Sequence, residues 1–187
     1  MRYFKHVLLV IFVAFGLING QSGKQGIWSE SNFSGLKFRS IGPAFMSGRI
    51  SDIAIHPDNE SIWYVTVGSG NVWKTTNAGV TWTPIFDDQP SYSIGCVTID
   101  PTNSNTIWIG TGENLGGRHF GYGDGVYKSE NGGNSWINMG LKKSEHISEI
   151  LIHPNDPNTV WVASQGPMWS SGGERGVYKS TDGGKNW

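Results

Sequence analysis

The sequence predicts an all-β protein, a β-propeller made of four-stranded blades, and three observations lead to this fold class. First, near-copies of one nine-residue stretch occur at residues 74–82, 128–136 and 179–187, with their closing tryptophans 54 and 51 residues apart. Repeats of this length are typical of propellers and exceed those of ankyrin or leucine-rich proteins. Second, no helical 3.6-residue pattern follows residue 20. Third, 27 glycines and nine tryptophans suit many short strands joined by tight turns.

The nine-residue stretch, Lys-Ser-Glu-Asn-Gly-Gly-Asn-Ser-Trp at 128–136, predicts a tight turn between two strands. An Asn or Asp side chain can accept backbone N–H bonds across such a turn, and a glycine supplies the positive φ that the turn needs. The closing tryptophan begins the next strand and can fill the gap between neighbouring units. The structural residues of the three turns are Asn77, Gly79 and Trp82, then Asn131, Gly133 and Trp136, then Asp182, Gly184 and Trp187.

Four strands are predicted in each repeat unit. The first strands run into His-Pro or Asp-Pro at 53–57, 97–101 and 150–154, and turns are predicted after them at 58–61, 102–106 and 155–159. Second strands are predicted at 62–67, 107–111 and 160–164, third strands at 71–75, 125–129 and 176–180, and fourth strands at 82–86 and 136–139. The second strands are almost continuously apolar, which indicates that both of their faces are covered, as in stacked blades.

The chain divides into a leader, a lead-in segment and the repeats. Residues 1–20 read as a signal peptide, 21–48 as a lead-in, and 49–91, 92–145 and 146–187 as three blades, the last incomplete. The lead-in contains one possible strand at 36–40, which either completes the last blade or belongs to an irregular arm. Because propellers usually close with four to eight blades, further blades of the same chain are expected beyond residue 187.

The leader predicts export. Arg2, Lys5 and His6 precede an apolar run at 7–18, which is shorter than the about 20 residues that a membrane-spanning helix needs. We therefore expect a protein without a membrane span that is secreted, periplasmic or extracellular. Cys96 is the single cysteine, so no disulfide can form within the chain, and it reads as a small buried hydrophobe.

Charge and ligand spacing exclude several functions. Without Arg2 and Lys5, 12 of the 14 basic residues remain against 15 acidic ones, a net charge of −3. A chain so close to neutral argues against nucleic-acid binding. His56 and His153 both precede proline in equivalent turns, and no further ligand has metal-site spacing. The sequence predicts neither a metal site nor a cofactor.

The units differ mainly in the link between their second and third strands. The first unit has only residues 68–70 there, whereas the second and third carry insertions. The second insertion combines an acid, a fixed cation, a titratable base and an aromatic ring, the side chains that grip a polar ligand such as a sugar. A solvated glycine-rich loop is the alternative. The candidate ligand-binding residues are Glu113, Arg118, His119, Tyr122 and Asp124, with Arg49 and Arg175 near the same face and Asp87, Asp88 and His146 as weaker candidates.

The repeated turns resemble the Asp-box, or BNR repeat, of sialidases, sortilin-type receptors and xyloglucanase-type glycoside hydrolases. Residues 38–43, 48–50 and 72–77 also resemble the start of a secreted bacterial family described as sortilin-like or glycosyl-hydrolase-like. The resemblance covers roughly 28–187 and marks the chain as the N-terminal part of such a protein. It implies a propeller that binds or processes polysaccharide on its loop face.

The same resemblance leaves the activity open between enzyme and binding module. If the protein is a glycoside hydrolase, Glu113 is the local candidate for a catalytic carboxylate. Xyloglucanase-type enzymes carry a catalytic Asp at the end of a second strand in their first blade, and Gly68 stands at that position here. The alternatives are a non-catalytic, sortilin-like module that binds a protein or peptide, and a structural module at the cell surface.

Overall fold

The computed structural model describes Gly35, residues 48–114 and residues 120–187. Apart from Gly35, these residues all belong to one compact unit, Ile41–Trp187. The predicted signal peptide and the possible strand at 36–40 lie outside the described residues, as do Arg118 and His119. Within the described ranges no helix is long and apolar enough to cross a membrane.

The described residues form three antiparallel sheets in chain order, and they contain no helix. The first two sheets have four strands each, in the orders β1-β2-β3-β4 and β5-β6-β7-β8, and the third has the order β11-β10-β9. The predicted all-β propeller with four-stranded blades is confirmed. The strands are β1 (Ile50–Ile55), β2 (Trp63–Val67), β3 (Asn71–Thr75), β4 (Thr83–Pro84), β5 (Ile94–Asp100), β6 (Asn103–Thr111), β7 (Val126–Ser129), β8 (Ile137–Asn138), β9 (Ile147–His153), β10 (Asp156–Ser164) and β11 (Gly176–Ser180).

The turns between the first and second strands are shorter than predicted in two units. The predicted turns at 102–106 and 155–159 are wrong, because β6 begins at Asn103 and β10 at Asp156. The Asp100 carboxylate accepts hydrogen bonds from the Thr102 N–H at 2.8 Å and the Thr102 hydroxyl at 2.7 Å, which closes the chain within two residues. Asn103 then pairs with Asp100, and Asp156 pairs with His153.

The core lies between neighbouring sheets. One buried cluster joins the first and second sheets and includes Tyr64, Phe86 and Ile107. A second cluster joins the second and third sheets and includes Trp108, Ile150 and Cys96, so the prediction of a buried thiol is confirmed. Because the middle sheet is covered on both faces, its strand β6 is apolar almost without alternation, and residues 106–111 are all buried.

Side chains of the first strands connect successive sheets. One carboxylate oxygen of Asp52 accepts the N–H of Val97 at 2.9 Å, from β1 to β5. The Thr98 hydroxyl donates to the Ile150 carbonyl at 2.7 Å, from β5 to β9. These bonds add directional contacts to the apolar packing between the sheets.

The repeated turns share one hydrogen-bond pattern. In the second unit, Asn131 Oδ1 accepts the N–H of Ser135 at 2.9 Å, and Ser129 Oγ accepts the N–H of Gly133 at 2.9 Å. The glycines of the three turns, Gly79, Gly133 and Gly184, have φ of +87°, +90° and +89°. Other residues rarely adopt this left-handed conformation.

The turn tryptophans of the second and third units contact the preceding sheet. Trp136 Nε1 donates to the Ile85 carbonyl at 2.7 Å, and Trp187 Nε1 donates to the Met139 carbonyl at 2.8 Å. Each indole therefore closes the gap between two units and satisfies a carbonyl there.

Replacing Asn131 by alanine should lower the free energy of unfolding by about 1 kcal/mol, because the Ser135 N–H loses its acceptor. Chemical denaturation of both proteins measures the difference. Asn155→Ala is the matched control, since Asn155 is an exposed turn residue whose side chain bonds to nothing in the described part of the chain. Equal losses in the two variants would contradict a specific role for the Asn131 side chain.

Candidate functional site

The loops that differ between units lie on one side of the sheets, which we call the loop face. It comprises the second-to-third-strand links, described at 68–70, 112–114, 120–125 and 165–175, and the inter-sheet links at 85–93 and 139–146. Backbone bonds tie the two kinds of link together, from Gly112 N–H to the Ser93 carbonyl and from Gly123 N–H to the Glu145 carbonyl, both at 2.7 Å. The link between β6 and β7 is therefore held by both of the inter-sheet links that flank the second sheet.

Glu113 and Arg49 form a two-point ion pair on this face. Arg49 Nε donates to Glu113 Oε1 at 2.5 Å and Nη2 donates to Oε2 at 2.7 Å, a geometry that is stronger and more directional than a single contact. The Glu113 side chain is 1% exposed, whereas that of Arg49 is 48% exposed. The hydrogen bond and the charge of Glu113 raise the pKa of Arg49. The pair links the first unit to the second.

The Glu113 carboxylate occupies the space beside Gly68. A β-carbon at residue 68 would lie 2.5 Å from Glu113 Oε1 and 2.6 Å from its carboxyl carbon, so residue 68 must be glycine while Glu113 stays in place. The Glu113 N–H donates to Ser93 Oγ at 3.0 Å, and Ser93 Oγ lies 2.7 Å from the Gly68 carbonyl. The space beside Gly68 is therefore occupied by the Glu113 carboxylate of the neighbouring unit.

Three aromatic side chains, Phe120, Tyr122 and Trp169, form a cluster that we call the aromatic platform. The rings of Phe120 and Trp169 are nearly parallel, with centroids 6.2 Å apart and an interplanar angle of 18°, and the centroids of Phe120 and Tyr122 are 6.4 Å apart. Trp169 is 71% exposed and Tyr122 is 56% exposed. The platform joins the insertion of the second unit to that of the third.

His146 lies fully buried beneath the platform. Its ring centroid is 5.0 Å from that of Phe120 and 5.4 Å from that of Tyr122. Burial lowers the pKa of His146, because the imidazolium form loses its hydration. The nearby main-chain carbonyl of Glu113 and the charges of Glu145 and Glu113 raise the pKa of His146, but neither ring nitrogen reaches hydrogen-bond geometry with a partner within the described ranges.

The lowered pKa of His146 predicts that the folded protein loses stability at acidic pH. The unfolded chain has a His pKa of about 6.5, so below that pH it binds more protons than the folded chain does. The free energy of unfolding should therefore fall as the pH drops from about 6.5 through the lower folded-state pKa of His146. Denaturation at a series of pH values should give a shallower pH dependence for His146→Phe than for the wild-type protein. An unchanged slope in His146→Phe would contradict the assignment.

Two sequence candidates, Asp124 and Arg175, make hydrogen bonds within the loop face. The Asp124 carboxylate accepts the Tyr127 hydroxyl at 2.7 Å, and the Asp124 N–H donates to Thr111 Oγ1 at 2.8 Å, so Asp124 holds the hairpin between β6 and β7. Arg175 donates to the carbonyls of Pro167 and Ser170, so it braces the third insertion. Of the remaining candidates, the structure brings together Arg49 and Glu113, and places Tyr122 in the platform.

Sequence reasoning missed Phe120 and Trp169 as functional candidates. Both are large aromatic residues in glycine-rich insertions, and this composition was the sequence feature that could have identified them as binding residues. Exposed rings of this kind offer apolar faces for stacking against the C–H face of a sugar or another flat group. Within the described ranges, no group of three or more His, Cys, Asp or Glu side chains is arranged to hold a metal ion.

Comparison with curated proteins finds that this chain is similar to part of a xyloglucanase. A xyloglucanase from Hypocrea jecorina (strain QM6a) is 30% identical over 145 residues, which cover 65% of this chain and 16% of that enzyme. No family model matches the chain. The chain thus spans about a sixth of the length of this relative.

Similar solved structures are β-propeller proteins. An ancestral GH74 enzyme superposes with a TM-score of 0.57 and 25% identity, covering 74% of this chain and 18% of that one. The Niastella koreensis GH74 enzyme gives a TM-score of 0.51 and 28% identity, covering 68% and 19%. YCF48 from Cyanidioschyzon merolae gives 0.52 with 17% identity over 78% and 38% of the two chains, a likeness of fold alone.

Proposed function

We propose that this protein is exported and binds a polysaccharide on its loop face, with the aromatic platform as the contact surface. The observation that carries the proposal is the pair of nearly parallel rings of Phe120 and Trp169, with Trp169 71% exposed. Exposed aromatic side chains on a rigid scaffold are costly to leave in water, and they mark sites of recognition more often than isolated apolar residues do.

The chemistry of the platform suits a chain of sugars. The C–H bonds of a pyranose ring present a weakly positive apolar face, which is complementary to the negative face of an aromatic ring. The platform spans the insertions of two units, so it can contact more than one sugar residue. The likeness to a xyloglucanase and to GH74 enzymes supports a glucan such as xyloglucan as the ligand.

Binding fits the described part of the loop face better than catalysis by Glu113 does. A glycosidase acid must hold a proton that it can give to the leaving oxygen. Both oxygens of Glu113 accept hydrogen bonds from Arg49, and the side chain is 1% exposed. We therefore assign Glu113 to positioning Arg49 and the second insertion, with the sugar contacts made by exposed aromatic rings.

Affinity electrophoresis of the full-length protein tests the proposal. Native gels that contain xyloglucan, a mixed-linkage β-glucan or no polysaccharide are run side by side, and new reducing ends are measured in parallel. We expect retardation in at least one glucan gel, and we expect Glu113→Gln to leave any turnover unchanged. Equal migration in all gels would contradict polysaccharide binding. Abolished turnover in Glu113→Gln with retained retardation would instead make Glu113 catalytic.

A further inference from the structure

Buried polar atoms without hydrogen-bond partners are concentrated beside the platform. Six such side-chain atoms occur within the described ranges, and four of them belong to three residues of one region: Ser144 Oγ, both ring nitrogens of His146, and Gln165 Oε1. An unpartnered buried polar atom costs roughly 1–3 kcal/mol. Four of them in one region are more than a single local defect of packing, and they require an explanation.

The three residues lie next to each other at the start of the third sheet. The Gln165 N–H donates to the His146 carbonyl at 2.8 Å, which continues the pairing of β10 with β9 by one residue. Cross-strand neighbours place their side chains on the same side of the sheet. The His146 N–H donates to the Ser144 carbonyl at 2.5 Å, and Gln165 Nε2 donates to the Asn114 carbonyl at 3.2 Å.

We propose that Ser144, His146 and Gln165 form a polar subsite that receives a hydroxyl group of a neutral sugar from beneath the aromatic platform. The inference deepens the proposed function and rests on it, since the sugar that stacks on the platform is the one that supplies the hydroxyl. It assigns a ligand role to three side chains, of which sequence reasoning singled out only His146.

The hydrogen-bonding capacity of the subsite matches a hydroxyl. Ser144 can donate and accept, a neutral His146 offers one donor and one acceptor, and Gln165 Oε1 can only accept. A hydroxyl group both donates and accepts, so it can satisfy either kind of partner. A carboxylate only accepts, and it would leave Gln165 Oε1 and the acceptor nitrogen of His146 unsatisfied.

The charges around the subsite also favour a neutral sugar over an acidic one. The carboxylates of Glu113 and Glu145 are the groups whose charge acts on His146, and both are negative. Glu113 is paired with Arg49, and Glu145 lies between Ser144 and His146 in the chain. Because Arg49 offsets the charge of Glu113, the repulsion of an acidic sugar comes mainly from Glu145, and it favours a neutral sugar over a uronic acid.

The subsite is covered by a side chain that can move. The Phe120 ring packs against His146 at an interplanar angle of 74°, and Phe120 itself is half-buried. Rotamer changes of partly exposed side chains occur in picoseconds to nanoseconds. Access of a ligand hydroxyl to the fully buried His146 therefore requires the Phe120 ring to turn aside.

Calorimetry with two probes tests the subsite in the full-length protein. The probes are a neutral xyloglucan oligosaccharide and an oligogalacturonate of the same length. We expect wild type to prefer the neutral probe. Ser144→Ala and Gln165→Met should each weaken its binding about two- to tenfold, the range of one lost hydrogen bond, and should reduce the preference over the acidic probe. Ser171→Ala, in an exposed part of the third insertion, should change neither value.

The outcomes separate the subsite from the proposed function. If wild type binds neither probe, both ideas are overturned. If Trp169→Ala weakens binding of the neutral probe while Ser144→Ala and Gln165→Met keep wild-type affinity and preference, the platform stands and the subsite is wrong. Gln165→Met keeps the side-chain length, so we expect it to fold. If Ser144→Ala fails to fold, Gln165→Met still decides whether the subsite binds the sugar.

Discussion

Replacing Trp136 by alanine is expected to lower the free energy of unfolding by about 3 to 5 kcal/mol, the range for deleting a large packed aromatic side chain. The indole contacts two sheets at once. Its Nε1 donates to the Ile85 carbonyl at 2.7 Å, and its ring packs edge-to-face on Phe86 with centroids 5.3 Å apart. The variant therefore loses apolar packing and leaves a carbonyl without its donor. Urea denaturation followed by circular dichroism measures the loss.

Trp82→Ala is the matched control for this prediction. Trp82 ends the equivalent turn of the first unit, but it is 39% exposed and its described ring contact is with Trp63 of the same unit. We expect a clearly smaller loss of stability than in Trp136→Ala. Equal losses would contradict the view that the indole stabilises the protein by joining neighbouring sheets. A change of ligand affinity with unaltered stability in Trp136→Ala would show that these turns belong to the binding site.

Removing the platform should produce the largest effect on binding. Trp169→Ala and Tyr122→Ala are each expected to weaken xyloglucan binding by about 1 to 3 kcal/mol, the range between an ordinary and a dominant contact residue. This corresponds to roughly five- to 150-fold in affinity. The physical reason is the loss of exposed stacking surface, since Trp169 and Tyr122 are 71% and 56% exposed and carry little of the core.

The platform variants are compared with a control variant that lacks a different exposed tryptophan. Trp82→Ala removes an aromatic side chain from the turn between β3 and β4, outside the connections that define the loop face, and should leave the affinity unchanged. Thermal melting of each variant checks that the platform variants stay folded. Wild-type affinity in both Trp169→Ala and Tyr122→Ala would place the ligand elsewhere on the protein.

The strands could be predicted closely where their signal is local. The strands predicted at 71–75 and 176–180 agree with β3 and β11 residue for residue, because turn residues on both sides set their limits. The lengths of the turns after the first strands could not be predicted from their residue composition. At 102–106 the polar residues suggested a loop, but the Asp100 carboxylate closes the turn at once and the polar residues begin β6.

The sequence could identify several residues of the candidate site, but it could not predict how they are arranged in space. Glu113 and Arg49 were both candidates, yet their pairing joins residues 64 positions apart and depends on how two sheets stack. The role of Gly68 follows only from that stacking, because the Glu113 carboxylate fills the space beside it. The platform likewise forms from two separate insertions, so neither Phe120 nor Trp169 identifies it alone.

The most direct test of the polysaccharide-binding surface is oxidative footprinting of the full-length protein with and without xyloglucan. Mass spectrometry reports the oxidation of each aromatic side chain, and Trp169, Tyr122 and Trp82 are all exposed enough to react in the free protein. We expect xyloglucan to protect Trp169 and Tyr122 while the oxidation of Trp82 stays the same. Bound xyloglucan that leaves Trp169 and Tyr122 as reactive as in the free protein would contradict this expectation.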